Sequence, residues 1–355
     1  MHEFKLLFLQ ACKWVGLFRL AQWLTRGRLK ILCYHGFELA DEAAFRPKLF
    51  IRGQQFARRL EAIARYGLHV LPLDEAVARL YARNLPDNAL VITIDDGFES
   101  VHRVAVPHLR RHRYPATVYV TTYYVQHANP VFRLAVQYMF WKTTCTRLDL
   151  VDLPWSQDRS VDMSDPAQRD RAMWDCIRHG ERADATEQER CQLCENIGRL
   201  LDTPYDDIVQ SRMLHLMAPQ TLRTLNADRV SVELHTHRHT FSGDDAQRAE
   251  REIADNRAAL RQWIAHEPRH FCYPSGLWEE RQWQWLDSMQ VKSSTTCVPG
   301  LNSHATPRHA LRRFLDGENI HQLEFEAALC GFSDLLRSAR ALMRVGRTSS
   351  PGPMN

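Results

Sequence analysis

The chain has 355 residues, enough for one large α/β barrel or two ordinary domains, and its 45% hydrophobic and 25% charged content excludes extended disorder. A net charge of +4, with basic and acidic residues interspersed, leaves no basic stripe and excludes a nucleic-acid partner. Nine cysteines, an odd number without framework spacing, argue against a disulfide scaffold and for a reducing, cytoplasmic compartment.

Residues 1–28 are predicted as an N-terminal amphipathic helix. FKLLFLQACKWVGLFRLAQWL is apolar, but Lys5, Lys13 and Arg19 interrupt it. That excludes a signal-peptide core and a spanning helix. Two readings remain: an interfacial helix giving peripheral contact with the inner face of a membrane, or a helix packed on the barrel.

From residue 29 to residue 332, β-type runs alternate with helical patterns. The expected strands are KILCYH (30–35), HVLPL (69–73), ALVITIDD (89–96), ATVYVTT (116–122), VSVELHTH (230–237), HFCYPSG (270–276), VKSSTTC (291–297) and LRRF (311–314). Between them lie helical stretches such as QQFARRLEAIARYG and DAQRAEREIADNRAALRQWIA. This rhythm predicts an α/β fold with a parallel sheet. Residues 126–229 break the rhythm, show no convincing strand, and read as a helical insertion, either a lid over the site or a separate domain. Within them Cys191 and Cys194 form a CxxC on a helical pattern with no second pair to complete a zinc site. Residues 333–355 read as a basic helix and a disordered tail.

Polar residues gather at the ends of these strands: Tyr34-His35, Asp95-Asp96, His235, Pro274-Ser275-Gly276, Thr295-Thr296, and Arg313 in the last. In β/α barrels the C-terminal strand ends form the catalytic face. Adjacent strand residues point to opposite sides, so Asp95 and Asp96 serve different purposes while the strand persists: one binds a metal, the other handles a proton. A helix cap made of both is the alternative. In HTHRH (235–239), one turn of helical or turn-like backbone puts His235 and His239 on one face and leaves His237 off it. Two imidazoles and a carboxylate make a three-ligand site with an open position. A surface histidine cluster is the other reading.

ITIDDGF, HTHRH and YPSG, in that order behind CYHGF, resemble the polysaccharide deacetylase family (carbohydrate esterase family four), over about residues 30–315. The resemblance implies a distorted (β/α) barrel, here with the helical insertion and terminal helices, that removes acetyl groups from an acylated carbohydrate. It implies Asp95 as general base, and Asp96, His235 and His239 as ligands of one divalent ion, Zn²⁺ being the expected metal. It also implies that the Ser275 N–H forms part of an oxyanion hole, with Tyr273 and Pro274 as substrate-binding residues. Two departures stand out. Cys272 occupies the place of the family's arginine, for which Arg313 is the expected replacement, and the C-terminal L-x-H strand carrying the general acid is absent. His35, at the end of an extra N-terminal strand, is the expected acid, as if the barrel were circularly permuted; His237, His304 and His309 are its rivals. A catalytically degenerate carbohydrate-binding protein and a metal-dependent amidase acting on a non-sugar substrate remain as alternatives.

Overall fold

The structure, a computed structural model, describes residues 2–150 and 160–348. The expected distorted (β/α) barrel is what the chain forms. Two helices, α1 (His2–Trp14) and α2 (Leu17–Leu24), precede β1 (Lys30–Tyr34), β2 (Gly36–Phe37), α3 (Glu42–Phe45), β3 (Phe50–Ile51) and α4 (Gly53–Arg65). Then come β4 (His69–Val70), α5 (Leu73–Tyr81), β5 (Ala89–Ile94), α6 (Val106–His112) and β6 (Ala116–Val120). The insertion supplies α7 (Tyr123–His127), α8 (Phe132–Lys142), β7 (Arg147–Asp149), β8 (Ser160–Asp162), α9 (Pro166–Gly180), α10 (Glu187–Leu200), α11 (Tyr205–Ser211) and α12 (Pro219–Thr224). The barrel resumes with β9 (Val230–Leu234), α13 (Ala246–Trp263), β10 (His270–Cys272), α14 (Gln282–Ser288), β11 (Ser293–Thr295) and β12 (Phe314–Leu315), and the chain closes on α15 (Gln322–Leu329) and α16 (Phe332–Thr348).

The barrel strands are parallel in the order β11-β10-β9-β6-β5-β1-β12, with β4 beside the start of β5. The two ends of the sheet meet through residues 311–315: Leu311 bridges Thr295 on one side, and Phe314 pairs with Leu32 on the other. The apolar runs are explained by burial on both faces, as parallel strands require. Alternation sorts them. Ile31, Ala89, Val91, Tyr119, Cys272 and Leu311 form an inner cluster that Leu73, Ala76, Val77 and Leu80 of α5 plug from one end. Leu32, Leu90, Ile92, Ile94, Val118, Val120, Val232, Leu234 and Phe271 face the helical layer.

Several expectations change. The N-terminal segment is two helices, broken where Gly16 takes a left-handed φ of 82°. HVLPL is strand only over His69–Val70, because Pro72 cannot donate to a ladder and Leu73 begins α5. The insertion holds a strand pair after all, the antiparallel β7–β8. It runs beside the end of β5, where Met217 N donates to Gly97 O at 2.9 Å and Glu99 N to His215 O at 2.8 Å. Cys191 and Cys194 lie on α10 and join no cluster of three metal-ligating groups among the described residues. Residues 349–355, read as the disordered tail, lie outside the described residues.

Candidate active site

β5 ends at Ile94, so Asp95 and Asp96 stand just beyond the strand rather than within it. Asp96 takes a left-handed φ of 68° and Gly97 one of 87°, and this turn, not strand alternation, separates the two carboxylates. Neither caps the following helix. Asp96 Oδ1 lies 3.2 Å from His235 Nε2 and 3.4 Å from His239 Nε2. The two imidazole rings are 4.9 Å apart, edge to face, on a loop in which Thr236 and His239 also have positive φ.

The donor chemistry of this cluster fits a metal. His235 Nδ1 is 2.9 Å from Cys272 O, and a carbonyl only accepts, so Nδ1 carries the hydrogen. In the neutral ring Nε2 then presents a lone pair to a carboxylate oxygen, an arrangement that a cation satisfies and a hydrogen bond does not. Asp96, His235 and His239 are the three groups whose ligand atoms lie within 4.8 Å of one another there. Burial raises the Asp96 carboxyl, but the His235 and His239 contacts outweigh it and hold it well below the usual range. Burial lowers His235, and the Asp96 carboxylate beside it more than reverses this by favouring the charged ring.

Asp95 points into the barrel. Arg313, fully buried on the closing segment, grips it with two bonds: Nη1 to Oδ1 at 2.7 Å and Nη2 to Oδ2 at 2.8 Å. Arg313 is itself fixed by Thr296 O at 2.9 Å and Thr93 Oγ1 at 3.1 Å. Two thiols complete the shell, Cys272 at 3.3 Å and Cys33 at 3.5 Å from Asp95 Oδ2; burial pushes both thiols well up, so they donate. Burial would also raise Asp95, but the Arg313 charge and hydrogen bonds prevail and hold it well below the usual carboxylate range.

His35 follows β1 and faces the same carboxylate, with Nε2 3.8 Å from Asp95 Oδ2 and Nδ1 buried without a hydrogen-bond partner among the described residues. Its rivals are occupied or remote from this shell. His237 Nδ1 is 2.8 Å from Thr122 Oγ1, and His309 is bonded to Ser294 and Asp287. His304 lines a different cavity, with Tyr81 and Lys292. Ser275 is exposed in a left-handed turn with φ 58°. Tyr273 corrects the expectation made for it: its side chain is 1% exposed, packs on Phe241 and Phe271, and donates to His309 O at 3.0 Å. It is a core group, and Pro274 beside it is also buried.

The sequence pattern marks α13 as a helix but not its contacts with the histidine loop. Fully buried Asn256 accepts from His235 N at 3.0 Å and donates to Val120 O and Thr122 Oγ1. One turn earlier, Glu252 accepts from Arg238 N at 2.7 Å, while its carbonyl accepts from His237 N at 3.1 Å. The signal was present: two polar residues four apart on the face that also carries Ala249, Ile253 and Leu260.

The family model described as polysaccharide deacetylase matches residues 192–294. That span holds His235, His239 and the YPSG turn, while Asp95 and Asp96 are brought to it by the fold. No curated protein matches the sequence. Among solved structures, the chain is similar to a Streptococcus pyogenes deacetylase, PplD, in complex with acetate (TM-score 0.56, 15% identity, covering 86% of this chain and 99% of that one). It is also similar to IcaB from Ammonifex degensii (TM-score 0.52, 16% identity, 86% and 96% covered). A third is a de-N-acetylase from Aggregatibacter actinomycetemcomitans (TM-score 0.53, 13% identity, 85% and 99% covered). Residues 192–294 are thus similar to the polysaccharide deacetylase family, and the solved structures share the chain's fold.

Proposed function

We propose that the chain is a metal-dependent hydrolase that removes acetyl groups from an acylated carbohydrate. The observation that carries this reading is the convergence of Asp96, His235 and His239 at the strand ends, beside a second carboxylate kept apart by its own arginine. A divalent ion held by those three, Zn²⁺ being the best fit to an N,N,O set, supplies Lewis acidity toward water and an acyl oxygen. Asp95 then takes the proton of the attacking water, and Arg313 positions it. The Ser275 N–H receives the developing oxyanion, and His35 protonates the departing amine or alcohol. All nine cysteines are unpaired, which supports a reducing, cytoplasmic setting.

One observation favours a carbohydrate-binding protein without turnover. Asp95 is enclosed by Arg313, Cys272 and Cys33, and a carboxylate held so far below its usual range is a weak base. The two readings separate on metal content, measured by mass spectrometry, and acetate release from acetylated hexosamine oligomers. The hydrolase reading expects stoichiometric divalent metal and released acetate. It expects both to be lost in His239→Ala with the fold retained, since this side chain is 41% exposed. Full metal occupancy in the variant overturns the ligand assignment, and bound metal without acetate from any substrate favours the binding protein.

A further inference from the structure

Each of the two N-terminal helices carries two apolar stripes. On α1, Leu9 and Cys12 face the barrel, and on α2, Phe18 and Ala21 do; they form one cluster with Ala327, Cys330 and Phe332. Lys5 and Lys13 pin α1 down by ion pairs with Glu324 and Glu326 of α15. The opposite stripe of α1 holds Phe4, Leu7, Phe8 and Trp14, continued by Val15 just past its end, with Phe4 79% and Trp14 82% exposed. Those positions recur at the three-and-four spacing of a helix face. The outward stripe of α2 holds Leu17, Leu20, Trp23 and Leu24. Such a continuous exposed patch marks an interaction surface rather than ordinary scatter.

We propose that this outward face is a docking surface for a bilayer with anionic headgroups. Charge selects this occupant. Residues 1–28 contain five Lys or Arg and one carboxylate, Glu3. The adjoining α16 adds Arg337 and Arg340 against Asp334. At the elbow between α1 and α2, a cavity of about 490 Å³ is lined by Arg19, which has no ion pair among the described residues, by Lys13 and Arg65, which share Glu326, and by Trp14, Phe18 and Tyr66. That combination of cations and amphipathic rings suits a phosphate headgroup above an apolar boundary. Trp14 and Trp23 are the residue type that prefers that boundary. Among the described residues no helix is long and apolar enough to cross a membrane, so the contact is peripheral. Packed helix and interfacial helix are therefore not alternatives: opposite faces of the same two helices serve each purpose. Because α2 leads into the N-terminal end of β1, whereas Asp95 and Asp96 stand at the C-terminal strand ends, docking leaves the catalytic rim uncovered.

The inference does not depend on the deacetylase reading, and its test measures no turnover. Full-length protein is sedimented with vesicles of phosphatidylglycerol in phosphatidylcholine, and with vesicles of phosphatidylcholine alone. The expected result is binding that favours the anionic vesicles and weakens with salt. The triple variant Leu7→Ser, Trp14→Ser, Leu20→Ser should lose roughly tenfold or more in partitioning while keeping its melting temperature, because all three side chains face outward. Arg19→Glu should lose the preference for anionic lipid. Equal binding to both vesicle types, or undiminished binding by the triple variant, overturns the proposal. So does a wild-type dimer that ignores vesicles and that the triple variant dissociates, which would give the face to a second copy of the chain.

Discussion

Lys30 is fully buried in β1, and its ammonium has no hydrogen-bond partner among the described residues. Burial pulls its pKa down to about 8, with Cys330 opposing weakly. The sign follows from proton counting. Between about 8 and its ordinary value near 10.5, the unfolded chain binds more protons at this site than the folded one, so the Lys30 contribution to stability rises with pH across that window. Urea denaturation should show wild type gaining on Lys30→Met by about 2 kcal/mol between pH 7 and pH 10. A constant difference between the two proteins would mean that the ammonium is solvated. The Asp95–Arg313 pair behaves differently. Arg313→Met, or Asp95→Asn, leaves one buried group without its charge partner and should cost about 3–5 kcal/mol in stability, part of which the double variant recovers. A double-mutant cycle measured by denaturation checks this. Lost activity in Asp95→Asn alone thus does not identify a base, because the same change strikes the fold.

At the scale of elements, α13 is the clamp for the histidine loop, since Asn256 and Glu252 hold the backbone N–H groups of His235 and Arg238. Asn256→Ala should weaken metal binding by about 10–100-fold while the helix persists, measured by chelator competition alongside circular dichroism. Undiminished affinity would make Asn256 a packing residue only. β1, β5, β6 and β9 were legible because each is a run of five or six residues buried on both faces or nearly so. β2 and β3 are two residues long, and β7 and β8 three, too short for any period to register. Asp96, His235 and His239 were legible as a cluster because HTHRH and IDDG keep spacing and order. Asn256 was not, because a polar residue within a helical pattern looks like a solvated one until its partner on another element is known. Tyr273 was misread for the converse reason: it belongs to the YPSG motif, but just past the end of β10 its ring packs on Phe241 and Phe271.

For the whole molecule, the N-terminal helices are part of the core and not an appendage. Deleting residues 1–25 would expose Ala327, Cys330 and Phe332 and remove Phe18 and Leu9 from their cluster. Burial of those two side chains alone is worth about 3–6 kcal/mol, so the truncated chain should be measurably less stable in urea than the full one. An unchanged midpoint would show that the cluster contributes little. The architecture was expected as a barrel; its manner of closing was not, because residues 311–315 offer one bridge and a two-residue strand rather than a run.

That closing segment has a temporal meaning. Arg313 and Asp95 are 218 residues apart in sequence, and the segment that carries the arginine is also the one that joins β11 to β1. A chain emerging from synthesis holds both carboxylates and both histidines long before the guanidinium arrives. Until then the sheet is open and Asp95 lacks its counter-charge. Contacts of such long range form late, after shorter loops have closed. Sealing the barrel and pairing Asp95 with Arg313 are therefore a single step.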